Sequence, residues 1–563
     1  MNINKAVDLS ILNIKKEGLT DIFNRPFEID LLNNPDFKLK IKNEILNCLN
    51  DLKLSSLQIN NLSHILLPKH SVFSFRKCAL MQPMDTLKYS TLAIALADVI
   101  EKARIPVAKK RIFSYRFKPS PDDYLFNDLY SITTFREEAS KRAKSKEVKY
   151  IISCDIANFY DRLNLHRLEN SLLSINCDEK IVKLINELLL FWSGRDSYGL
   201  PVGSNASRIL AEASLIGIDN YLMSMNIDFI RFVDDYRIFA KDAKTAHYWM
   251  TILIERLQKE GLFINTSKTK IEECLEYCIE TKEANEIKNN VVFIDTNTQA
   301  ANSLSDNVID TNIKNTDEIT NTNRNVIRAG YGGTVPTKFR ALSNREIENL
   351  NNEDIESLVN SLKGATLIQP VDFIKTIRVC VAKKQFDSLI DLYPLLDNFL
   401  QLTPYYVDAL IKNSNNLSNE SKQGVIGNFT NSLLDNKYKP EYLLLAYITI
   451  LGHAELSNKE ALMEYFRKQK RNDGVYVGRV LLDSINNIVT KGVDREIALE
   501  IRDFYNRADY WEKRQIAQIV KKVLYEEEAR PWLKNISIIE TNDLFLKEIA
   551  QPTKKKKNSC KKV

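Results

Sequence analysis

The sequence predicts an α+β domain followed by an all-α one, joined by a polar connector. Three observations carry that expectation. Between Ser71 and Cys274, short β-branched or aromatic runs (YIISC, DFIRFV, YRIFA) alternate with helix-patterned stretches such as SRILAEASLIGIDNYL. From Asp295 to Asn325, Asn, Thr and Asp dominate and aromatics are absent, the composition of a solvated linker or long insertion. From about Ser343 to Ile549, apolar residues recur at helical spacing throughout.

Taken in order, residues 1–68 read as a helical segment, with helical spacing in IKNEILNCLNDL. Residues 69–280 form the mixed domain, 281–342 the connector, 343–550 the helical domain and 551–563 a disordered basic tail. In the helical domain Phe373, Ile374, Ile377, Cys380 and Val381 mark one apolar face, and Ile497, Leu499, Ile501 and Phe504 another. Pro370, Pro394, Pro404 and Pro440 punctuate it, as expected of stacked helical hairpins of the HEAT kind, although no fixed repeat period is visible.

Composition narrows the class. With 563 residues, 44% of them apolar and 27% charged, the chain is neither wholly disordered nor a small disulfide scaffold. The longest apolar stretch, YLLLAYITIL from Tyr442, is about half what a bilayer crossing needs. No secretory pattern follows Met1, so a cytoplasmic protein with no membrane contact is expected. The net charge of +6 equals the six lysines of the tail, Lys554 to Lys557, Lys561 and Lys562, so a nucleic-acid footprint must be a local patch. Eight scattered cysteines give no zinc spacing and read as reduced, buried thiols.

The chemistry sits in two carboxylate-bearing pieces. In KYIISCDIANFYDRLNLHRLEN, a strand over Tyr150 to Cys154 delivers Asp155 at its end, with Asp161 shortly after. In DFIRFVDDYRIFA, two apolar runs flank Asp234 and Asp235, which suits a β-hairpin with the acidic pair at its turn. Adjacent carboxylates beside apolar strands are unfavourable unless a cation is near. Two divalent ions and a third carboxylate from a neighbouring strand resolve the conflict, and that is the arrangement of two-metal phosphoryl transfer. Mg²⁺ suits it, with Mn²⁺ the alternative ion. Between the pieces lies GLPVGSNASRILAEASL, a Gly/Pro loop opening a long helix.

These motifs resemble the reverse transcriptase family. DIANFYD matches its strand-terminal Asp followed by two aromatics and a further Asp. GLPVGSNAS matches its G-L-P-x-G loop with a downstream Ser, FVDD its aromatic-x-Asp-Asp, and GLFINTSKT its GL-x-x-N-x-x-KT segment. The four stand in the family's order over roughly Ser71 to Cys274. The resemblance implies a fingers and palm domain of the reverse transcriptase fold. Asp155, Asp234 and Asp235 then hold the metal ions. Tyr160 is the aromatic gate that rejects a 2′-hydroxyl, and Phe159 beside it an ordinary core ring. Gly203 lets backbone approach the nascent base pair, with Ser207 downstream in the same nucleotide-binding loop. Lys268 supplies a proton or positive charge to the departing pyrophosphate. Arg76, in FRKCALMQPMDTLKY, meets the incoming triphosphate. Downstream, Lys102 to Lys118 holds seven basic residues and no acidic one, with Phe113, Tyr115 and Phe117 interleaved. That mixture reads as phosphate contacts plus base stacking on a single strand.

Two departures from template-copying relatives point to a subgroup. Val202 stands where many relatives carry Gln, and no primer-grip strand or thumb is legible after Ile271. With the long helical C-terminal region, GLPVGSNASRILAE and FVDDYRIF resemble the abortive-infection reverse transcriptases of bacterial phage defence, the AbiK-like group. That resemblance implies a nucleotidyltransferase making DNA from dNTPs without a template, started from a hydroxyl of the protein itself. Its single-stranded DNA product stays covalently attached, and the chain forms homo-oligomers. A sister group ending in a HEPN ribonuclease is excluded in its usual form, because His453, the only histidine after the linker, is preceded by LAYITILG without arginine. Two alternatives stay open: a template-copying enzyme with a non-coding RNA partner, and a non-catalytic helical scaffold with a relic palm.

Overall fold

The computed structural model describes residues 1–20, 22–23, 25–68, 75–194, 196–274, 338–364, 370–398, 400–468 and 474–551. Most of the expected linker over 281–342 and nearly all of the basic tail lie outside the described residues. So do Cys278 and the stretch where a primer grip or thumb was sought. The chain divides into two compact units. One comprises residues up to Pro336 with Arg340–Gln385 and Asp397–Leu402, the other Thr337–Phe339, Phe386–Leu396 and Thr403–Val563.

The first unit opens with helices α1 (Ile3–Glu17), α2 (Glu28–Leu31), α3 (Pro35–Leu49) and α4 (Leu54–Leu57). Asn2 and Asn34 cap α1 and α3 by accepting from backbone N–H groups two residues on. An antiparallel hairpin follows, β1 (Ser63–Pro68) against β2 (Phe75–Leu80), so the expected N-terminal segment ends in a strand. Next come α5 (Pro83–Ala103), α6 (Ile132–Ala143), β3 (Tyr150–Asp155), α7 (Phe159–Arg162), α8 (Leu165–Ser174), α9 (Glu179–Ser193) and α10 (Asn205–Ser224). Then β4 (Phe229–Phe232), β5 (Asp235–Ala240), α11 (Ala243–Lys259) and β6 (Lys270–Glu273) complete the α+β part.

The sheet order is β4-β5-β3-β6, antiparallel at every step. Period-two alternation sends Ile151, Ile230 and Phe239 to one face, where they meet Phe135 and Ala139 of α6 together with Phe113. Helix α11 packs against β3 and β5. Helices α5 and α10 pack together, and α1 lies on α5. Ala93 and Ala97 of α5 and Ala206 and Ala213 of α10 are buried, and small side chains suit a close approach of axes. Three further helices close the unit, α12 (Asn344–Leu350), α13 (Ile355–Gly364) and α14 (Pro370–Ala382).

The second unit is a helical stack, in keeping with the all-α expectation. It contains α15 (Thr403–Asn413), α16 (Asn419–Leu434), α17 (Glu441–Leu451), α18 (Lys459–Lys468) and α19 (Val475–Ile488). It continues through α20 (Arg495–Asp503), α21 (Tyr510–Val523), α22 (Glu526–Ile539) and α23 (Leu544–Ala550). The odd-numbered helices pack in series, α15 on α17, α17 on α19, α19 on α21 and α21 on α23. Ion pairs recur at a spacing of 33 residues: Lys422 of α16 to Glu455 in the turn before α18, Arg467 of α18 to Glu500 of α20, and Arg495 of α20 to Glu528 of α22. The apolar YLLLAYITIL stretch is α17, buried within this stack, and no helix among the described residues is long and apolar enough to cross a membrane. Cys48, Cys78, Cys154, Cys177, Cys274 and Cys380 are buried.

Candidate active site

Strand β3 ends at Asp155, whose Cα partner on β5 is Asp235. Strands β4 and β5 turn through Val233 and Asp234, so the expected hairpin forms with the acidic pair at its tip. Val233 takes a left-handed φ of 55°, a conformation β-branched residues rarely adopt. The Ile156 amide donates to the Asp234 carbonyl at 3.0 Å, stitching the turn to the end of β3. The structure thus brings Asp155, Asp234 and Asp235 to the adjoining ends of two strands and a turn.

Cationic and amide groups surround them. Arg237 pairs with the Asp235 carboxylate. Lys268 Nζ lies 3.7 Å from Asp155 Oδ2, and the Asn265 side-chain amide donates to the same oxygen at 3.2 Å. Asn265 also ties its backbone N–H to the Asp155 carbonyl at 2.7 Å, which anchors the Lys268 segment to the strand end. Among the described residues no group of three or more His, Cys, Asp or Glu converges on one cation position. The Asp155 and Asp235 carboxylates turn to the partners just named. The donor set itself, carboxylates without thiol or imidazole, is that of a hard cation such as Mg²⁺.

Tyr160 stands half-buried on α7, its ring 5.5 Å from that of Phe159, which is buried. Burial first, then Tyr115 and the Asp234 carboxylate, hold its phenol well above the ordinary range, with Arg208 opposing. It therefore remains protonated and uncharged. The Gly/Pro loop lies alongside. Leu200 N–H donates to the Tyr160 carbonyl and Gly199 N–H to the Leu163 carbonyl, both at 2.9 Å. The loop's other side is tied to the β1–β2 hairpin by Ala79 N–H on the Val202 carbonyl at 3.2 Å. Arg76 lies on that hairpin opposite Leu67, and no hydrogen bond or ion pair among the described residues joins it to the carboxylates.

Ser207 is wholly buried. Its hydroxyl donates to the Pro201 carbonyl at 2.6 Å and lies 3.1 Å from both Ser204 Oγ and Tyr89 Oη, so in this structure it holds the loop in shape. Gly203 has a φ of +116°, and a Cβ there would come within 2.5 Å of Thr20 Oγ1 and 2.9 Å of Ile22 Cδ1. The close approach that sequence reasoning reserves for a base pair is made here by the N-terminal segment.

The basic and aromatic run differs from expectation. Phe113 and Phe117 are buried, and so are Arg104 and Arg116, which pair with Glu101. Burial pushes the Arg116 guanidinium down to about 10. Alternation of aromatics is no period-two strand here: Ser114 and Arg116 between them are buried as well, and Tyr115 breaks the extended backbone with a φ of 41°. It does not mark a base-stacking platform. Only the half-buried Tyr115 stands near Tyr160, with Arg208 5.1 Å over its ring.

Sequence reasoning missed Asn265, Arg237 and a buried charged set comprising Arg231, Asp219, Glu212 and Arg104. Its one legible signal was a lone arginine inside the apolar run FIRFV.

Residues 84–294 match the family described as reverse transcriptase (RNA-dependent DNA polymerase). The chain therefore contains a reverse transcriptase-family polymerase domain, followed by a mostly helical region. Among solved structures, a Candida Tropicalis apo telomerase truncated from its C-terminal domain is 18% identical, with a TM-score of 0.29. The match covers 38% of this chain and 50% of that one, so the chain spans half the length of that telomerase. A Candida albicans telomerase in complex with a fragment of telomeric RNA is 12% identical over 75% of this chain and 66% of the other, with a TM-score of 0.29. An apo telomerase from Candida Tropicalis is 14% identical over 78% of this chain and 68% of that one, again at 0.29. No curated protein matches the chain.

Proposed function

We propose that the chain is a metal-dependent DNA polymerase that extends DNA without a template, primed from a hydroxyl of the protein, in abortive-infection defence against phage. The observation that carries the polymerase reading is the register of Asp155 opposite Asp235 with Asp234 in the intervening turn. The untemplated, protein-primed and defensive parts rest on the resemblance of GLPVGSNASRILAE and FVDDYRIF to the AbiK-like group. Homo-oligomers and a bacterial cytoplasmic setting belong to the same reading.

Asp155, Asp234 and Asp235 would hold two Mg²⁺ ions. When bound, such ions activate an attacking hydroxyl and steady the oxygens of the triphosphate. The chain's own residues supply the rest. The attacking oxygen forms a bond to the α-phosphorus of a dNTP as the bond to pyrophosphate breaks. Lys268, beside Asp155, brings positive charge to the leaving pyrophosphate. The uncharged Tyr160 ring fills the space a 2′-hydroxyl would need. Arg76, on the hairpin tied to the Gly/Pro loop, meets the triphosphate, and Gly203 and Ser207 shape that loop.

The test is incorporation by purified, nuclease-treated protein given Mg²⁺ and each labelled dNTP, with no template or primer. Products are run on a denaturing gel before and after protease. Label that migrates with the protein and is released by proteolysis is the expected result. Label appearing only when RNA is returned would replace this reading with templated synthesis. Silence in both conditions would favour the scaffold.

A further inference from the structure

Beneath the acidic turn lies a buried set of charges that the polymerase reading does not use. Arg231 of β4 is 0% exposed and grips Asp219 of α10 with two donors, Nε to Oδ1 at 2.9 Å and Nη2 to Oδ2 at 2.6 Å. Its Nη2 also donates to Glu212 Oε2 at 2.9 Å. Glu212 in turn accepts from Arg104 Nη2 at 2.6 Å. Two guanidinium groups and two carboxylates make the set neutral, and Tyr236 adds a hydroxyl on Asp219 at 3.3 Å. The remaining Arg231 nitrogen, Nη1, donates to the Val233 carbonyl at 2.7 Å.

That last bond falls on the strained residue. Val233 immediately precedes Asp234 and holds φ at 55°, where its branched side chain is disfavoured. Such a conformation persists only when its surroundings over-determine it. Arg231 is well suited to do so, because a planar fork fixed by two carboxylates holds Nη1 on the Val233 carbonyl, with only a longer 3.4 Å bond to Glu212 Oε1 beside it. The same set reaches a second left-handed residue. Arg104 Nη1 donates to the carbonyl of Tyr115 at 2.9 Å, and Tyr115, with φ 41°, stands beside Tyr160.

We propose that Arg231, locked by Asp219 and Glu212, is a positioning residue that clamps Val233 in its left-handed conformation and thereby aims Asp234 and Asp235 at Asp155. This rests on the reading of those three aspartates as the catalytic carboxylates. Arg231 touches no reacting atom. It acts through the Val233 carbonyl, and Glu212 couples the acidic turn to the Tyr115 side of the cleft.

The test pairs Arg231→Lys with Val233→Gly in the full chain. Lysine keeps the charge but cannot grip Asp219 and reach the Val233 carbonyl together. Glycine adopts a positive φ without strain and so has less need of a clamp. Two readouts are free of nucleotide chemistry: hydrogen exchange across residues 229–240, and Mn²⁺ occupancy by electron paramagnetic resonance. Arg231→Lys should speed exchange there and weaken Mn²⁺ binding by about tenfold each, the scale of one lost charge-assisted hydrogen bond. Adding Val233→Gly should return most of both. A merely structural role for Arg231 predicts no selective rescue at position 233. If Arg231→Lys fails to fold, the double variant decides: recovery supports the clamp, and a double variant that also stays unfolded overturns it. Unchanged exchange in a folded Arg231→Lys protein overturns it as well. A wild-type chain that incorporates no nucleotide would sink the polymerase reading while leaving the exchange measurement of the clamp intact.

Discussion

Asp155 and Asp235 are direct antiparallel partners at the meeting ends of β3 and β5. Opposed like charges on neighbouring strands disfavour folding unless cations offset them. Here Lys268 and Arg237 sit on the two carboxylates. On the proposed reading, that register serves ion binding and not stability. Asp155→Asn and Asp234→Asn preserve shape and remove charge. Each should cut nucleotide incorporation by about a hundredfold or more, the scale of losing one transition-state stabiliser. Melting temperatures should stay close to that of the parent chain. Full incorporation by both variants would remove the carboxylates from the active site.

Tyr160 tests the sugar preference separately. Its phenol stays protonated across the working range because burial, Tyr115 and Asp234 all oppose ionisation. On the proposed reading, a gate at Tyr160 would therefore act through the ring and not through a charge. Tyr160→Ala should lower the preference for dNTPs over NTPs by about tenfold or more, the scale of a changed pocket wall. Tyr160→Phe should retain the preference. Competition between labelled dNTP and NTP checks both, and equal discrimination in the Ala variant would end the gate assignment.

The parts legible in the sequence were those where local chemistry and position agree. The period-two apolar runs around Asp234 and Asp235 have one plausible fold, a hairpin, and it forms as read. The strand ending at Asp155 and the helix opened by Ser204 were equally local. The misread run, Lys102 to Lys118, failed because its partners are distant in sequence. Nothing near Arg104 announces Glu212, and nothing near Phe113 announces Phe135 and Phe239. The helical stack hid its repeat because helix lengths vary, so no apolar period survives. The 33-residue ion pairs, such as Lys422 with Glu455, were the usable signal. Gly203 shows a further limit: a positive-φ glycine announces that something comes close, not that the something is Thr20 of the same chain.

A pH effect follows from the β1–β2 hairpin. Burial, and then the charge of Lys77, push the His64 imidazole down to about 4 from an ordinary 6.5. Folded His64 is thus neutral where the unfolded chain already binds a proton. Its contribution to stability is complete above pH 6.5 and is lost as pH falls from 6.5 toward 4. His64→Gln removes the titration. Between pH 7 and pH 4.5 the parent chain should lose more melting temperature than this variant does. Equal losses would show that His64 is not held neutral.

The helical stack can be probed at Gly452, which ends α17. A Cβ there would come within 2.8 Å of Ser484 Cα and closer still to its side chain, on α19. Backbone cannot swing aside as a flexible side chain can, so α17 and α19 must part. Gly452→Ala should cost about 1–3 kcal/mol, the range for overpacking a well-filled core. Gly427, exposed on α16, has nothing within 4 Å of the same added atom. Gly427→Ala should instead be neutral or stabilising by up to about 1 kcal/mol, since alanine loses less chain entropy in a helix. Denaturant unfolding of the two variants beside the parent chain measures the contrast. If both shift stability alike, the tight passage between α17 and α19 is not what makes position 452 a glycine.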